Sequence, residues 1–220
     1  MFRHVPNALT ALRLALAVVF FVMLSYYQYD QRGLHGELLW LNIAFIVYLV
    51  ALFTDFLDGY LARLWKVEGV FGRIVDPFVD KVLVLGSFIF FAGKNFTIPQ
   101  FNPQETPTNV MTITGIVPWM VVVILGRELL VTSLRGSSES SGVNFAAVFS
   151  GKLKMTLQSI TILVVLVYVN YRPMMSHHVD QIAMGIRDAF IWLTIFVTVI
   201  SGISYVRRGV ALYRNVKEAH

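Results

Sequence analysis

Residues 54–63 read TDFLDGYLAR and residues 72–81 read GRIVDPFVDK, and these two polar stretches interrupt an otherwise apolar part of the chain. Each stretch carries two aspartates at helical spacing: Asp55 with Asp58, and Asp76 with Asp80. Residues three or four apart lie on the same face of a helix, so each stretch predicts two carboxylates one turn apart. The connector between the stretches is short, which predicts two antiparallel helices with all four carboxylates at one level.

The composition indicates that these helices lie in a membrane. Only 14% of the 220 residues are charged and 56% are hydrophobic, whereas a soluble domain carries about 25% charged residues. A helix needs about 20 residues to cross the hydrocarbon core. Six predicted spans meet this length, at about 8–28, 39–62, 76–93, 115–134, 153–171 and 188–207. The sequence therefore predicts an all-α integral membrane bundle of six transmembrane helices, in a single domain over residues 1–220.

The positive charges predict the orientation of the bundle. Fourteen of the eighteen lysines and arginines fall on the side that holds both termini and the 63–75 and 135–152 connectors. Cytoplasmic loops carry an excess of lysine and arginine, so both termini and the aspartates are expected to face the cytoplasm. A bacterial inner (plasma) membrane is the expected location. The polar connectors expected on the opposite side are 29–38, 94–114 and 172–187.

The net charge of +5 does not indicate a nucleic-acid partner. The chain has no lysine-rich run and no basic stripe with interleaved aromatic residues, which are the usual signs of such binding. It has no cysteine, which excludes disulfides and thiolate chemistry. The expected partner is therefore the lipid bilayer, and the candidate chemistry rests on the carboxylates.

Four carboxylates at one membrane level predict a metal site. They repel one another and lose hydration near the bilayer, and divalent cations would relieve both effects. Carboxylate oxygens without a nearby histidine or cysteine favour Mg²⁺ or Mn²⁺ over zinc, and two ions about 4 Å apart can clamp a phosphate group. The small residues Gly59, Ala62 and Gly72 leave room for a flat ligand, although close helix packing would also explain them taken alone.

Two other interpretations of the aspartates stay open at this point. Intramembrane acids can form the ion or proton pathway of a transporter, or they can pair structurally with Arg63, Arg73 and Lys81. Transporters usually bind their substrates near the membrane midplane and often consist of repeated halves. The aspartates lie near one face and no internal repeat is evident, which disfavours transport.

Written as one pattern, the two stretches read D-x2-D-G-x2-A-R-x8-G-x3-D-x3-D from Asp55 to Asp80. At all eight specified positions this resembles the signature of the CDP-alcohol phosphotransferase family. The resemblance implies six transmembrane helices with a site for two divalent ions at the cytoplasmic boundary. It implies that Asp55, Asp58 and Asp76 bind metal and orient the CDP pyrophosphate. It also implies that Asp80 helps to bind the second metal and acts as general base on the acceptor hydroxyl.

The same resemblance predicts which further residues contact the CDP group. Besides the aspartates, the motif positions expected there are Gly59, Ala62, Arg63 and Gly72. Arg63 would either touch a phosphate or fix the carboxylates in place. Thr10, near the N-terminus, is expected to border the nucleotide.

Three further segments bear on the acceptor alcohol: residues 6–13 (PNALTALR), 126–128 (GRE) and 151–154 (GKLK). They resemble the phosphatidylglycerophosphate synthases within the family, which implies CDP-diacylglycerol and glycerol 3-phosphate as substrates. Inositol phosphate, or phosphatidylglycerol as in a cardiolipin synthase, would be the alternative acceptors. A homodimer is expected on the same resemblance.

The acceptor phosphate is expected to bind a cluster of basic residues. The four candidates lie near the predicted cytoplasmic ends of the fourth and fifth spans: Arg127, Arg135, Lys152 and Lys154. A phosphomonoester needs such cations, and arginine can contact it with two parallel hydrogen bonds. Ordinary flanking charge, or attraction to anionic lipids, would also explain any one of these residues.

Overall fold

The computed structural model describes the backbone of residues 5–29, 35–65, 70–97, 112–140 and 149–218. Within these ranges, side chains are described at 8–29, 38–57, 78–79, 81–97, 112–136 and 153–209. The described chain forms six α-helices: α1 (Val5–Tyr26), α2 (His35–Trp65), α3 (Val70–Phe91), α4 (Pro118–Ser140), α5 (Phe149–Tyr171) and α6 (His177–Glu218). Two single 3-10 turns follow α3 and α5, at Lys94–Phe96 and Arg172–Met174. The predicted all-α class is therefore confirmed.

Four helical segments are long and apolar enough to cross a membrane. Within the described residues these are Ala8–Tyr26, Leu38–Leu57, Leu153–Met174 and His177–Gly209, with a shorter apolar segment at Lys81–Phe91. Large apolar side chains lie exposed along them, as on α6, where Phe196 is 63% exposed. Apolar side chains on the outside of a bundle suit contact with lipid tails. The chain is thus a helical membrane protein, and six complete crossings stay a prediction.

The helices run alternately up and down, so the bundle has two ends. At one end, Trp40 near the start of α2 donates to the carbonyl of Met23 near the end of α1, at 2.8 Å. Asn95, just after α3, donates to the carbonyl of Ser25 at 2.9 Å. We call this the Arg187 end, after a buried arginine described below. We call the opposite end, where α2, α4 and α6 approach their C-termini, the Asp55 end.

A single hydrophobic core runs between these ends and draws buried residues from all six helices. Aromatic rings fill much of it: Phe20 and Tyr48 join α1 to α2 with ring centroids 5.2 Å apart. Phe91 at the end of α3 meets Phe96 edge-on at 5.4 Å. Tilted and edge-on contacts are the arrangements that aromatic rings prefer. This core packs the six helices together between the two polar ends.

The prediction of a polar connector over 172–187 is wrong. Helix α6 begins at His177, so most of this segment is helical. The backbone amide of Asp180 donates to the carbonyl of Ser176 at 2.9 Å, and an acidic side chain in the first turn complements the helix dipole. The segment is polar because it forms the first turns of a long helix, which the search for apolar blocks excluded.

The predicted connector over 94–114 contributes to the Arg187 end, as far as it is described. Thr97 and Thr112 form an isolated antiparallel bridge, and Thr114 donates to the carbonyl of Phe91 at 2.7 Å. Residues 98–111 lie outside the described residues. The connector thus returns to the end of α3 before α4 begins.

Arg187 of α6 connects the end of this connector to the bundle. Its Nη1 donates to the carbonyl of Ile113 at 2.6 Å, and its Nε donates to Oδ1 of Asp188 at 2.8 Å. The guanidinium also lies 4.6 Å from the ring centroid of Tyr168. Arg187 is only 5% exposed, so every one of these contacts replaces water that the side chain has lost.

Candidate functional site

The predicted aspartates lie on the two helices expected to carry them. Asp55 and Asp58 belong to α2, and Asp76 and Asp80 belong to α3. The two helices follow one another in the chain and run in opposite directions, and the common level of the four carboxylates stays a prediction. Most side chains of the predicted metal and CDP site lie outside the described residues, as does one cation of the acceptor cluster: Asp58, Gly59, Ala62, Arg63, Gly72, Asp76, Asp80 and Lys152. Their roles stay predictions.

Asp55 is described, and its carboxylate pairs with Arg13 of α1. Oδ1 of Asp55 lies 2.7 Å from Nη1 of Arg13, whose side chain is 1% exposed, whereas the aspartate is 35% exposed. The alternative of structural pairing is therefore observed for this acid, with a cation that the sequence reasoning did not choose. Of the cations expected to pair with the acids, Lys81 is described, and its Nζ donates to Thr132 at 2.7 Å.

The N-terminal helix therefore contacts Asp55. Arg13 and Thr10 lie one turn apart on α1, and both are buried, Thr10 completely. A buried arginine is stable only where its charge is paired, and Asp55 supplies that charge. The contact fixes α1 against the C-terminal half of α2, where the aspartate motif begins.

The donor chemistry of this end fits a hard divalent cation. The four aspartates of the motif offer only carboxylate oxygens, which are the ligands that Mg²⁺ and Mn²⁺ prefer. Within the described part of the chain, no three acidic, histidine or cysteine side chains form a metal cluster. Three of the four aspartate side chains lie outside that part, so the fit rests on Asp55 and on the composition of the motif.

A second group of charges lies between α4, α5 and α6, and Glu128 is at its centre. Nη1 of Arg127 donates to Oε1 of Glu128 at 2.9 Å, and Nζ of Lys154 donates to the same oxygen. The three side chains are 8%, 6% and 12% exposed, for Arg127, Lys154 and Glu128 respectively. Arg127 also donates from Nη2 to the Ser201 hydroxyl of α6 at 2.5 Å. Two predicted acceptor residues are thus brought together by a carboxylate.

Tyr205 extends this group towards the end of the bundle. The guanidinium of Arg127 lies 5.2 Å from the centroid of the Tyr205 ring, and that of Arg135 lies 5.6 Å from it. Nη2 of Arg135 also donates to the Tyr205 hydroxyl at 3.0 Å. Sequence reasoning missed Tyr205. The signal was the recurrence of Thr198, Ser201 and Tyr205 at helical spacing within an apolar helix.

Lys81 is a further cation that the acceptor prediction left out. Its Nζ contacts Thr132 on α4, one turn beyond Glu128, and its charge is within Coulombic range of Lys154. We define the cation cluster as Lys81, Arg127, Arg135 and Lys154, with Glu128 as its carboxylate. Because Lys81 follows Asp80 directly, the cluster adjoins the aspartate helix α3.

The cation cluster carries more positive charge than its carboxylate can balance. Arg127 and Lys154 share Glu128, whereas Lys81 and Arg135 donate to the Thr132 and Tyr205 hydroxyls. In the described structure, the Nε atoms of Arg127 and Arg135 have no hydrogen-bond partner. Buried cations without a full complement of acceptors favour binding of an anion. Phosphate oxygens suit arginine particularly well because two of them match the planar guanidinium. The cluster is therefore a candidate site for a phosphate group beside the aspartate helices.

Comparison with known sequences shows the relatives of this chain. A family model described as CDP-alcohol phosphatidyltransferase matches residues 3–200. A CDP-diacylglycerol–glycerol-3-phosphate 3-phosphatidyltransferase of Bacillus subtilis (strain 168) is 29% identical over 205 residues, covering 92% of this chain and 93% of that protein. The protein of the same name from Cereibacter sphaeroides is 31% identical over 161 residues, covering 72% of this chain and 61% of that protein.

A third relative of the same name, from Rickettsia typhi, is 27% identical over 205 residues, covering 93% of this chain and 96% of that protein. The matched region includes the aspartate motif on α2 and α3 and the cation cluster on α3, α4 and α5. The family model covers nearly the whole chain, including the residues that the fold assembles at the Asp55 end. This chain belongs to the CDP-alcohol phosphatidyltransferase family.

Proposed function

We propose that this protein transfers the phosphatidyl group of CDP-diacylglycerol to glycerol 3-phosphate, giving phosphatidylglycerophosphate and CMP in phospholipid biosynthesis. The observation that carries this proposal is the cation cluster, because an excess of partly buried positive charge suits an acceptor that is itself a phosphate ester. The names of the relatives from three bacteria support the same choice.

The donor would bind between α2 and α3, with its acyl chains in lipid and its nucleotide at the Asp55 end. The residues proposed to contact the CDP group are Thr10, Asp58, Gly59, Ala62, Arg63 and Gly72. Two Mg²⁺ or Mn²⁺ ions, held by Asp55, Asp58, Asp76 and Asp80, would neutralise the pyrophosphate when bound. Arg13 keeps one carboxylate oxygen of Asp55 at 2.7 Å, which limits the orientations that this ligand can take.

In the proposed reaction, the primary hydroxyl oxygen of glycerol 3-phosphate attacks the β-phosphorus of the donor. The bond from that phosphorus to the bridging oxygen breaks, and CMP leaves with this oxygen. Asp80 accepts the proton of the attacking hydroxyl. The acceptor phosphate would be held by Arg127, Arg135, Lys152 and Lys154, with Lys81 beside them. Most of the rate enhancement would come from positioning and charge stabilisation.

Glu128 would act as a positioning residue for the acceptor site. It accepts from Arg127 and Lys154 with the same oxygen, so it holds both cations on one side of the bundle while leaving net positive charge. An arginine fixed in this way needs little reordering when a phosphate binds.

We also propose six transmembrane crossings with both termini in the cytoplasm, in a bacterial inner membrane, and a homodimer. The distribution of charge supports this orientation. Arg13, Arg127 and Lys154 contact residues at the Asp55 end, and Arg172 and Arg187 contact residues at the other. The larger share of lysine and arginine marks the cytoplasmic side of a membrane protein.

The decisive experiment measures CMP release from CDP-diacylglycerol by the purified protein in detergent. The acceptors are glycerol 3-phosphate, inositol phosphate and phosphatidylglycerol, each with Mg²⁺, Mn²⁺ or a chelator. We expect release with glycerol 3-phosphate and a divalent ion, and loss of release on chelation. Release only with another acceptor would reassign the substrate, whereas no release with any acceptor would favour the transporter interpretation of the aspartates.

A further inference from the structure

A polar layer lies directly beneath the cation cluster, between α5 and α6. Gln158 follows Lys154 by one turn on α5, and Thr198 precedes Ser201 by one turn on α6. Because α5 and α6 are antiparallel, both residues lie one turn further from the Asp55 end than the cluster does. The next turn inward is closed by Thr161 of α5 and Thr194 of α6, whose hydroxyls are 2.7 Å apart.

Between the cation cluster and the Thr161–Thr194 pair, two buried side chains carry polar atoms without partners. Gln158 is 2% exposed and Thr198 is not exposed at all. In the described structure, Nε2 of Gln158 and Oγ1 of Thr198 have no hydrogen-bond partner. A buried polar group without a partner is destabilising, and such a group calls for an explanation in terms of water, ion or ligand.

Other hydroxyls in the helices of this bundle behave differently. Thr161 and Ser204 each donate to the carbonyl four residues earlier, at 2.9 Å, and so does Ser87 on α3, at 2.6 Å. This is the usual way for a hydroxyl in a membrane helix to satisfy its hydrogen bond. Thr198 does not make that bond. Its hydroxyl and the Gln158 amide are therefore left for something that enters the layer.

We propose that Gln158 and Thr198 form the floor of the acceptor site and hydrogen-bond the secondary hydroxyl of glycerol 3-phosphate, the hydroxyl that does not react. This inference rests on the proposed function. With the phosphate at the cation cluster, one helical turn of about 5.4 Å is comparable to the span from the phosphate to the central hydroxyl of a three-carbon chain. That hydroxyl would accept from the amide of Gln158 and share a hydrogen with Thr198.

With these contacts, the site would select a polyol phosphate as the acceptor. A site with buried polar groups discriminates strongly against a substrate that lacks the matching hydroxyl, because its own groups then stay unpaired. The cation cluster recognises the charge, which any phosphate ester would supply. Gln158 and Thr198 recognise the carbon chain, and they are the specificity-determining residues.

The test compares two acceptors that differ only in this hydroxyl. Glycerol 3-phosphate has it, and 3-hydroxypropyl phosphate keeps the phosphate and the reacting primary hydroxyl but lacks the central one. We expect the wild-type protein to prefer glycerol 3-phosphate by on the order of 100-fold or more in kcat/KM. In Gln158→Met, which keeps the length of the side chain, this preference is expected to fall to within about 10-fold.

Most of that fall is expected in kcat/KM for glycerol 3-phosphate, with the value for 3-hydroxypropyl phosphate nearly unchanged. Thr198→Val is expected to reduce the preference in the same direction but less. It repeats the test should Gln158→Met fail to fold. The matched control is Thr161→Val, one turn deeper, which breaks a satisfied hydroxyl pair. It is expected to lower the melting temperature and to leave the acceptor preference at the wild-type value.

The possible outcomes separate the inference from the proposed function. A wild-type protein that uses neither phosphate acceptor overturns the proposed function and the inference with it. A wild-type protein that uses both acceptors equally overturns the inference alone. So does Gln158→Met with an unchanged preference, or Thr161→Val with the same loss of preference, since the layer would then act only through packing.

Discussion

The two ends of the bundle treat buried charge in opposite ways. At the Arg187 end, Arg187 meets Asp188 and a backbone carbonyl, and Arg172 meets Asp180 at 3.3 Å. At the Asp55 end, Arg127 and Lys154 share Glu128, and the Nε atoms of Arg127 and Arg135 stay without partners in the described structure. Burial of a charge is costly unless partners replace its hydration. One end supplies those partners from the chain, and the other leaves them to be supplied by a ligand.

The difference separates residues that stabilise the fold from residues that bind substrate. Substitutions at the Arg187 end should change stability and leave substrate parameters unchanged. Substitutions at the Asp55 end should change substrate parameters, even where stability holds. The same chemical change made at each end therefore tests the comparison directly.

The largest effect is expected for Asp80→Asn at the Asp55 end. The amide cannot accept the proton of the acceptor hydroxyl, so turnover should fall at least about 1,000-fold, within the range that loss of a general base produces. Much of the CDP binding should remain, as measured by displacement of a labelled nucleotide. The matched control is Asp188→Asn at the other end, where turnover should stay near wild type. Unchanged turnover in Asp80→Asn would remove it as the base.

Arg187→Met should have the next largest effect, and on stability alone. The variant keeps an unbranched side chain but loses the bonds to Ile113 and Asp188. Because Asp188 is 44% exposed, water can rehydrate it, and we expect the free energy of unfolding to fall by about 2–3 kcal/mol. Thermal or denaturant unfolding in detergent measures this. A raised KM for either substrate would show that the Arg187 end contributes to binding.

A smaller effect, on binding, is expected for Arg135→Ala. The side chain stacks against Tyr205 and donates to its hydroxyl, so its loss should raise the KM for glycerol 3-phosphate by about 10-fold, equivalent to about 1.4 kcal/mol. The KM for CDP-diacylglycerol should not change. Arg207→Ala removes an exposed arginine of α6 and serves as control for net charge. Equal effects of the two variants on this KM would assign the change to the lost net positive charge rather than to a contact with the phosphate.

The sequence predicted the helices well because their signal is local. Long apolar blocks and the spacing of the aspartates need no knowledge of tertiary neighbours. The same holds for Arg127 and Lys154, whose common level at the ends of two predicted spans anticipated their meeting at Glu128. The start of α6 was missed because polar residues can continue a helix beyond the apolar block that marks it.

What the sequence could not predict is which distant residues pair. Asp55 pairs with Arg13, 42 positions away in the chain, rather than with a cation close to the motif. Tyr205 meets Arg135 of the cation cluster across 70 positions of the chain. Such contacts depend on the rotation of each helix about its axis, which packing of the whole bundle determines.

The finest test of the Arg187 end is Gly115→Ala. Gly115 has φ +72°, and a Cβ there would lie 3.0 Å from the Arg187 guanidinium. We expect a loss of about 1 kcal/mol in the free energy of unfolding, since side chains disfavour this backbone region. Gly185→Ala is the control, because nothing lies within 4 Å of its Cβ position, and it should be neutral or slightly stabilising. In the Arg187→Met background the loss should shrink, because part of it arises from crowding against the guanidinium. An undiminished loss there would attribute the whole effect to the backbone and none to the arginine.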